Sequence, residues 1–210
     1  EEIDRVLREN RTELPPELEE YLSAHWCAVY TGSFVDSECL FDMLDVAAWM
    51  QEHEQADIRF AFIGNGHLEE RMKERVEKDG LHNVGIFPRI GKSQVAAALS
   101  KAKVCIAALR DDRVLNDLGL SLNKLNDYLY SGNPTVFACG SVNVVGESGG
   151  GIVVPPQDVK AYADALMRVY HMTEEERREM AGKGRREIRE HYSYSLLAKQ
   201  YMDLFNEVLR

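Results

Sequence analysis

The stretch CAVYTGSFVDSECLFDMLDVAA, residues 27–48, contains one complete unit of the fold. An apolar run over residues 27–31 is followed by a loop that begins at Gly32, and then by apolar residues at helical spacing from Leu40 to Ala48. Near-continuous apolar runs of this length are typical of parallel strands that are covered on both faces. The stretch therefore predicts a buried strand, a glycine loop and a helix.

The same strand-then-helix pattern recurs along the chain. Apolar runs predict six strands, at residues 27–31, 60–63, 84–87, 104–107, 135–138 and 152–154. Alternating strands and helices imply right-handed crossovers and an α/β fold: a doubly wound, mostly parallel, six-stranded Rossmann-like sheet with helices on both faces. Because ligands of such sheets bind at the carboxyl ends of the strands, the strand-to-helix loops are the candidate site.

The predicted Rossmann-like domain covers residues 26–192. Residues 1–25 are predicted to be a linker with a short lead-in helix that begins at Pro15-Pro16, and Thr173 to Glu176 is a capping box that opens a late helix. A final helix over residues 193–210 carries an apolar stripe that needs a partner surface, either this domain or another. Since the sequence begins at Glu1 and not at a methionine, we expect it to be a piece of a longer protein.

Charge and composition exclude several classes of protein. The 210 residues carry a formal net charge of -10, so no basic footprint for nucleic acid is present, and any phosphate site must depend on local donors. No apolar run is long enough to span a membrane. The four cysteines are far apart, which favours reduced thiols in a cytoplasm, and the six histidines show no metal-ligand spacing. We therefore expect neither a metal site nor a nucleic-acid partner.

Two glycine motifs resemble nucleotide fingerprints without matching them. The segment 85–93 has five residues between its glycines where a P-loop needs four, and Pro88 removes a backbone donor, so Lys92 is predicted to open a helix instead. Gly64-Asn65-Gly66 has Glu69 where an NAD fingerprint needs its third small residue. A tight turn without a ligand is an equal alternative there, and the Ser-Gly-Gly-Gly run at 148–151 has a similar alternative as a flexible turn.

The most informative segment is residues 116–136. Ser121 or Asn123 can cap a helix that ends at Gly132, and Lys124 lies in the first turn of that helix. A helix N-terminus at the carboxyl edge of the sheet suits a diphosphate, and Asp127 lies one turn further on the same face. The alternative is that Lys124 and Asp127 form an exposed ion pair of little energy. Local physics leaves both interpretations open.

The segment Ser-x-Asn-Lys-x-x-Asp-Tyr at 121–128 resembles the C-terminal domain of bacterial retaining GT-B glycosyltransferases of family 4. The resemblance covers about residues 26–209, with YTGS at 30–33, FIGNG at 62–66, FPRI at 87–90, SGNP at 131–134 and GIVVPP at 151–156. It implies a hexosyltransferase of two Rossmann-like domains, whose donor is a nucleotide-diphosphate-sugar such as a UDP-sugar used in polysaccharide biosynthesis. It also implies that an absent N-terminal domain holds the acceptor, that this chain alone is inactive, and that no cofactor is needed.

The resemblance also assigns roles to residues. It implies that the backbone near Arg89 and Ile90 meets the base, that Asp127 holds the ribose and that Lys124 meets the diphosphate. The full set of implied donor-binding residues is Gly32, Ser33, Gly64, Gly66, Arg89, Ile90, Ser121, Asn123, Lys124, Asp127 and Glu147, and no catalytic residue is assigned to this chain.

The chain departs from the family pattern at two places. Gly119 replaces the first Glu of the Glu-x7-Glu motif, and Asp127 is a shorter acid at the position of the second. The Arg and Lys that often follow the first strand are missing between Gly32 and Asp45, which leaves Lys124 as the main cation for the phosphates. Three alternatives stay open: a sugar-nucleotide epimerase-like domain, an NAD-type Rossmann domain, and a non-catalytic interaction module. A peripheral membrane association of the full enzyme also stays open.

Overall fold

A computed structural model describes residues 12–53, 56–110 and 123–208. In these ranges six strands form one sheet in the order β3-β2-β1-β4-β5-β6, with every neighbouring pair parallel. The strands are β1 (Trp26–Ser33), β2 (Ile58–Asn65), β3 (Val84–Phe87), β4 (Val104–Ala108), β5 (Thr135–Ala138) and β6 (Gly151–Val154). The predicted doubly wound α/β fold is confirmed, and β1 and β2 extend beyond their apolar runs because their polar ends still pair in register, up to Ser33 opposite Asn65.

Helices connect the strands and cover both faces of the sheet. They are α1 (Pro16–Ala24), α2 (Leu40–His53), α3 (Glu69–Lys78), α4 (Lys92–Lys101), α5 (Asn123–Ser131), α6 (Val144–Ser148), α7 (Val159–His171), α8 (Glu174–His191) and α9 (Tyr194–Val208). A short 3-10 helix, Asp36–Glu38, precedes α2. The predicted local signals hold: Thr173 and Glu176 form the capping box of α8, α4 begins at Lys92, and Gly132 after α5 has a φ of 88°.

Each face of the sheet has its own hydrophobic core. On the first face, α2, α3 and α7 cover side chains of the strands that include the buried rings of Tyr30, Phe60 and Phe62. On the second face, α1, α4, α5 and α8 cover a core that includes Leu18 and Phe137. The four inner strands β1, β2, β4 and β5 are therefore largely buried on both sides, as their continuous apolar runs predict, whereas the edge strands β3 and β6 are only partly buried.

The two ends of the chain differ in how they pack. Leu18 and Leu22 of α1 are almost completely buried, so the lead-in helix is an integral part of the core of the second face. The large apolar side chains near the end of α9 are exposed, with Tyr201, Leu204 and Phe205 each more than half accessible. The apolar stripe of α9 is thus left uncovered over that part of the helix.

The glycine run at 149–151 forms the turn into β6 at a place where α8 packs closely. Gly149 ends α6 in the left-handed conformation, with a φ of 65°. Gly150 is buried, and a Cβ there would come within 2.6 Å of the Cα of Gly184 on α8 and 2.7 Å of a Leu129 methyl. The small residue at position 150 lets α8 approach the backbone closely, which gives Gly150 a packing reason within the turn that leads into β6.

Candidate functional site

The sheet changes its direction of winding between β1 and β4, and we call the carboxyl edge of the sheet at this point the crevice. The connection after β1 passes to α2 on the first face, whereas α5, which follows β4 in the chain, packs on the second face. Such a reversal is a topological switch point, where doubly wound sheets bind their ligands. Side chains from the β1–α2 loop and from the first turn of α5 meet there.

Lys124 lies inside this crevice and is paired with Glu38. Its Nζ forms an ion pair with Glu38 Oε2, donates a hydrogen bond to Tyr30 Oη at 3.1 Å, and lies 4.6 Å from the centroid of the Tyr30 ring. The two paired side chains are only 13% and 12% exposed. Burial lowers the pKa of Lys124, and the Glu38 carboxylate opposes that shift. The alternative of an exposed Lys124–Asp127 pair is therefore wrong.

Because Gly32 has no side chain, the Lys124 ammonium can lie next to the backbone at the end of β1. A Cβ at Gly32 would lie 2.9 Å from Lys124 Nζ and 2.7 Å from Tyr30 Oη, both too close for a real side chain. Ser33 is exposed at the end of β1, and its carbonyl accepts a 2.8 Å hydrogen bond from Tyr30 Oη. The structure thus brings Gly32, Ser33 and Lys124 together at one edge.

Close packing of the backbone explains why positions 64 and 66 are glycines. Gly64 is opposite Gly32 in the sheet, and a Cβ there would overlap the Gly32 carbonyl; a Cβ at Gly66 would overlap the Phe34 backbone. The two loops are also joined by a hydrogen bond from the Phe34 amide to the Asn65 carbonyl at 2.8 Å. Close approach of two backbones therefore explains both glycines without a ligand.

Asp127 holds a partly buried carboxylate that has no hydrogen-bond or ion-pair partner among the described residues. Burial raises its pKa, and the positive charge of Lys92 partly offsets that shift. Within the described ranges, no hydrogen bond or ion pair reaches the Asp127 carboxylate. Lys92 is the first residue of α4 and follows the loop that contains Arg89, which is exposed, and Ile90, which is partly buried. The loop that is predicted to contact the base and the carboxylate that is predicted to hold the ribose are therefore neighbours.

The remaining predicted residues are less connected to the crevice. Asn123 is exposed at the first described position of α5, and Glu147 is exposed on the short helix α6. Among the described residues, no hydrogen bond or ion pair joins Glu147 to Lys124 or to Asp127. Ser121, with Gly119, lies outside the described residues.

Sequence reasoning missed three residues at this edge. Glu38 and Tyr30 were not expected to contact Lys124, although both belong to the strand and loop that precede the crevice. Arg110 lies just after β4 and lines a small pocket with Asp36, Cys39, Leu40, Phe41, Asp42, Leu68 and Gln157. A polar residue three positions beyond the predicted strand at 104–107 was the available signal, and it points to Arg110.

The other expected features can be stated for the described part of the chain only. No group of three or more His, Cys, Asp or Glu residues there could hold a metal ion. No helix in the same ranges has the length and apolar character needed to cross a membrane. All four cysteines are free thiols.

The sheet order and the crevice at its switch point define a Rossmann-like α/β domain. The family model for glycosyl transferases group 1 matches residues 27–172, which is more than half of the chain. The chain therefore belongs to the glycosyl transferases group 1 family. A sequence search of curated proteins gave no match.

Solved structures of similar fold are glycosyltransferases about twice as long or longer. An alpha,alpha-trehalose-phosphate synthase (UDP-forming) from Burkholderia vietnamiensis has a TM-score of 0.80 at 15% identity, covering 100% of this chain and 51% of its own. A glycosyltransferase from Rickettsia africae gives 0.76 at 14% identity, with 99% and 55% covered. A mutant of S. aureus TarM, in complex with fondaparinux, alpha-GlcNAc-glycerol and UDP, gives 0.72 at 15%, with 93% and 37% covered. At these identities the likeness shows the fold.

Proposed function

We propose that this chain is the C-terminal, donor-binding half of a retaining GT-B glycosyltransferase of family 4. Its donor is a nucleotide-diphosphate-sugar with a hexose-type sugar, and its acceptor is held mainly by an N-terminal domain. Membership of the glycosyl transferases group 1 family supports a glycosyltransferase. The chain spans only about half or less of the solved glycosyltransferases that it resembles, which agrees with a second domain.

The carboxylate of Asp127, for which the described residues provide no hydrogen bond or ion pair, is the observation that carries this proposal. A partly buried carboxylate without a protein donor is costly, because burial disfavours its charged form. Two hydroxyl groups on adjacent carbons, as in a ribose, can donate to both carboxylate oxygens and offset that cost. Asp127 also matches the second acid of the family motif, and the loop of Arg89 and Ile90 beside it is in reach of a base.

The diphosphate belongs in the crevice at the start of α5. Lys124 supplies a positive charge there, and because Gly32 has no side chain, the β1 backbone beside that charge is not covered. The partial positive charge of the helix N-terminus adds to the attraction for an anion. Lys124 is neutralised by Glu38 in the free protein, so the local field is weaker than Lys124 alone would give.

The chemistry that these residues support is stabilisation of a departing nucleoside diphosphate. Cationic and backbone donors that are already oriented lower the energy of charge as it develops on the leaving group. The nucleotide-sugar is a substrate in this scheme, and no further cofactor is proposed. Attack by the acceptor requires the second domain, so the isolated chain binds donor without transferring sugar.

The uncovered part of α9 fits the same two-domain arrangement. Tyr201, Leu204 and Phe205 present apolar area that a monomeric domain seldom leaves open as a group. We propose that the N-terminal domain covers this surface in the complete enzyme.

Titration calorimetry of the chain with UDP, GDP and ADP tests the proposed function. We expect one of these nucleotides to bind, and Asp127→Asn to weaken that binding by about ten- to a hundredfold, because hydrogen bonds to a charged group are lost. Asp203→Asn, the same change at an exposed position of α9, serves as the control and should leave the affinity unchanged. Equal affinities of the wild type and Asp127→Asn would remove the ribose contact and with it the main support for the proposal.

A further inference from the structure

We propose that Glu38 is an internal counter-anion, which holds Lys124 in the free protein and is displaced from it by the diphosphate of the donor. The inference rests on the proposed function and concerns the same crevice. Glu38 occupies the position, next to the buried ammonium, at which an anionic ligand would be most strongly attracted.

Two of the three N–H donors of the Lys124 ammonium already have an acceptor in the free protein. Tyr30 Oη donates its proton to the Ser33 carbonyl, so its oxygen is free to accept from Lys124 at 3.1 Å. Glu38 takes a second N–H group and supplies the only negative charge paired with Lys124 among the described residues. A lysine ammonium has three donors, so these two contacts leave one for a ligand.

A diphosphate at that third donor would lie close to the Glu38 carboxylate. Both groups are negative, and the Lys124–Glu38 pair is almost enclosed, so little water is present to screen their repulsion. A bound diphosphate carries more charge than one carboxylate and can accept several hydrogen bonds at the crevice. We therefore expect the Glu38 carboxylate to leave Lys124 when the diphosphate binds, and not to stay beside it.

The local backbone explains how the acid reaches the crevice and how it can leave. Glu38 ends the single 3-10 turn Asp36–Glu38, which is held by hydrogen bonds from the Glu38 amide to the Val35 carbonyl at 3.1 Å and from the Cys39 amide to the Asp36 carbonyl at 3.4 Å. Cys39 then adopts the left-handed conformation, with a φ of 45°, before α2 begins. A single turn with two backbone hydrogen bonds, followed by a strained residue, is easier to rearrange than a longer helix or a strand.

The consequence is that the site binds a diphosphate more weakly than it would if Lys124 were not paired with Glu38. The carboxylate competes with the donor for Lys124 and returns to it when the nucleoside diphosphate leaves. Glu38 thereby favours release of that product, at a cost in affinity for every diphosphate.

Titration of inorganic pyrophosphate and of the nucleotide panel against Glu38→Gln tests the inference. Removal of the competing charge should tighten binding of both ligands by about tenfold or more, the scale of one charge-assisted hydrogen bond. Glu52→Gln makes the same change of net charge in the last turn of α2, at the opposite end of that helix, and should alter affinity by less than about twofold. Glu38→Asp, which withdraws the carboxylate from Lys124, should give a smaller gain of the same sign, with melting curves to verify folding.

The outcomes separate the inference from the proposed function. Weaker or unchanged binding in both Glu38 variants means that Glu38 is a fixed support for Lys124, which overturns the inference even if Asp127→Asn weakens nucleotide binding. Tighter pyrophosphate binding in Glu38→Gln supports the inference even if Asp127→Asn changes nothing, in which case only the ribose contact fails. Absence of binding of any anion to wild type and variants overturns both.

Discussion

The charged carboxylate of Asp127 is expected to lower the free energy of unfolding of the ligand-free protein. Its carboxylate is partly buried, burial is the main cause of its raised pKa, and the charge of Lys92 only partly compensates. The folded chain therefore binds the Asp127 proton more tightly than the unfolded chain does. By linkage, the free energy of unfolding falls as the pH rises from the ordinary carboxyl pKa of 3.8 through the raised value, and the loss is complete above it.

Asp127→Asn should consequently stabilise the ligand-free protein at neutral pH. We expect a rise of the melting temperature by about 2 °C, which corresponds to less than 1 kcal/mol for a domain of this size. The gain should disappear at pH values below the ordinary carboxyl pKa, where the wild-type side chain is protonated in both states. Melting curves at neutral and acidic pH measure this difference. A variant that is less stable than the wild type at neutral pH would mean that the carboxylate has a partner in the protein.

Single residues also mark the limit of what the sequence could predict for the site. Lys124, Asp127 and Gly32 were predicted because they lie in strand-to-helix loops or in the first turns after them. The Lys124–Glu38 pair joins positions 86 apart in the chain, and neither residue has a local pattern that encodes the contact. The sequence therefore placed Lys124 in the first turn of α5, as observed, but of its two open interpretations the ion pair with Asp127 is wrong, and the pair with Glu38 was not expected.

At the scale of elements, the predictions were more complete. Strands that are buried on both faces leave continuous apolar runs, and all six were found within a few residues of their observed ends. Capping signals at Thr173 and Gly132 were equally informative, because they depend on neighbours in the sequence. Gly150 and Gly151 were not, because their reasons are close contacts with residues distant in the sequence, Gly184 of α8 and Thr135 of β5.

Two glycines of α8 make a matched test of that contact. A Cβ at Gly182 would meet nothing within 4 Å, whereas a Cβ at Gly184 would lie 2.7 Å from a Leu129 methyl and 3.1 Å from the Gly150 Cα. We expect Gly182→Ala to raise the free energy of unfolding by about 0.5–1 kcal/mol, the difference in helix propensity. Gly184→Ala should lower it by about 1–3 kcal/mol through overpacking. Urea unfolding of both variants gives the comparison, and equal effects would contradict the close packing of α8.

At the scale of the whole molecule, the two terminal helices should contribute very differently to stability. Deletion of residues 194–210 should shift the melting temperature by no more than about 2 °C, because most of the large side chains near the end of α9 are exposed. Deletion of residues 1–24 should destabilise the chain strongly, since Leu18 and Leu22 each contribute about 1.5–3 kcal/mol by burial. Thermal melts of the two truncated chains make the comparison, and a large loss on removal of α9 would show that this helix is covered within the domain.

The central position of β1 has a consequence for how the chain is made. One edge of β1 pairs with β2, the next strand to be synthesised, but the other edge pairs with β4, where Ala28 lies opposite Val104. A nascent chain that ends before Val104 must therefore carry an apolar strand with an open edge. Parallel pairing between distant strands is slow, and an open apolar edge can recruit other chains. Translation past β4 is thus the point at which β1 can pair along both of its edges.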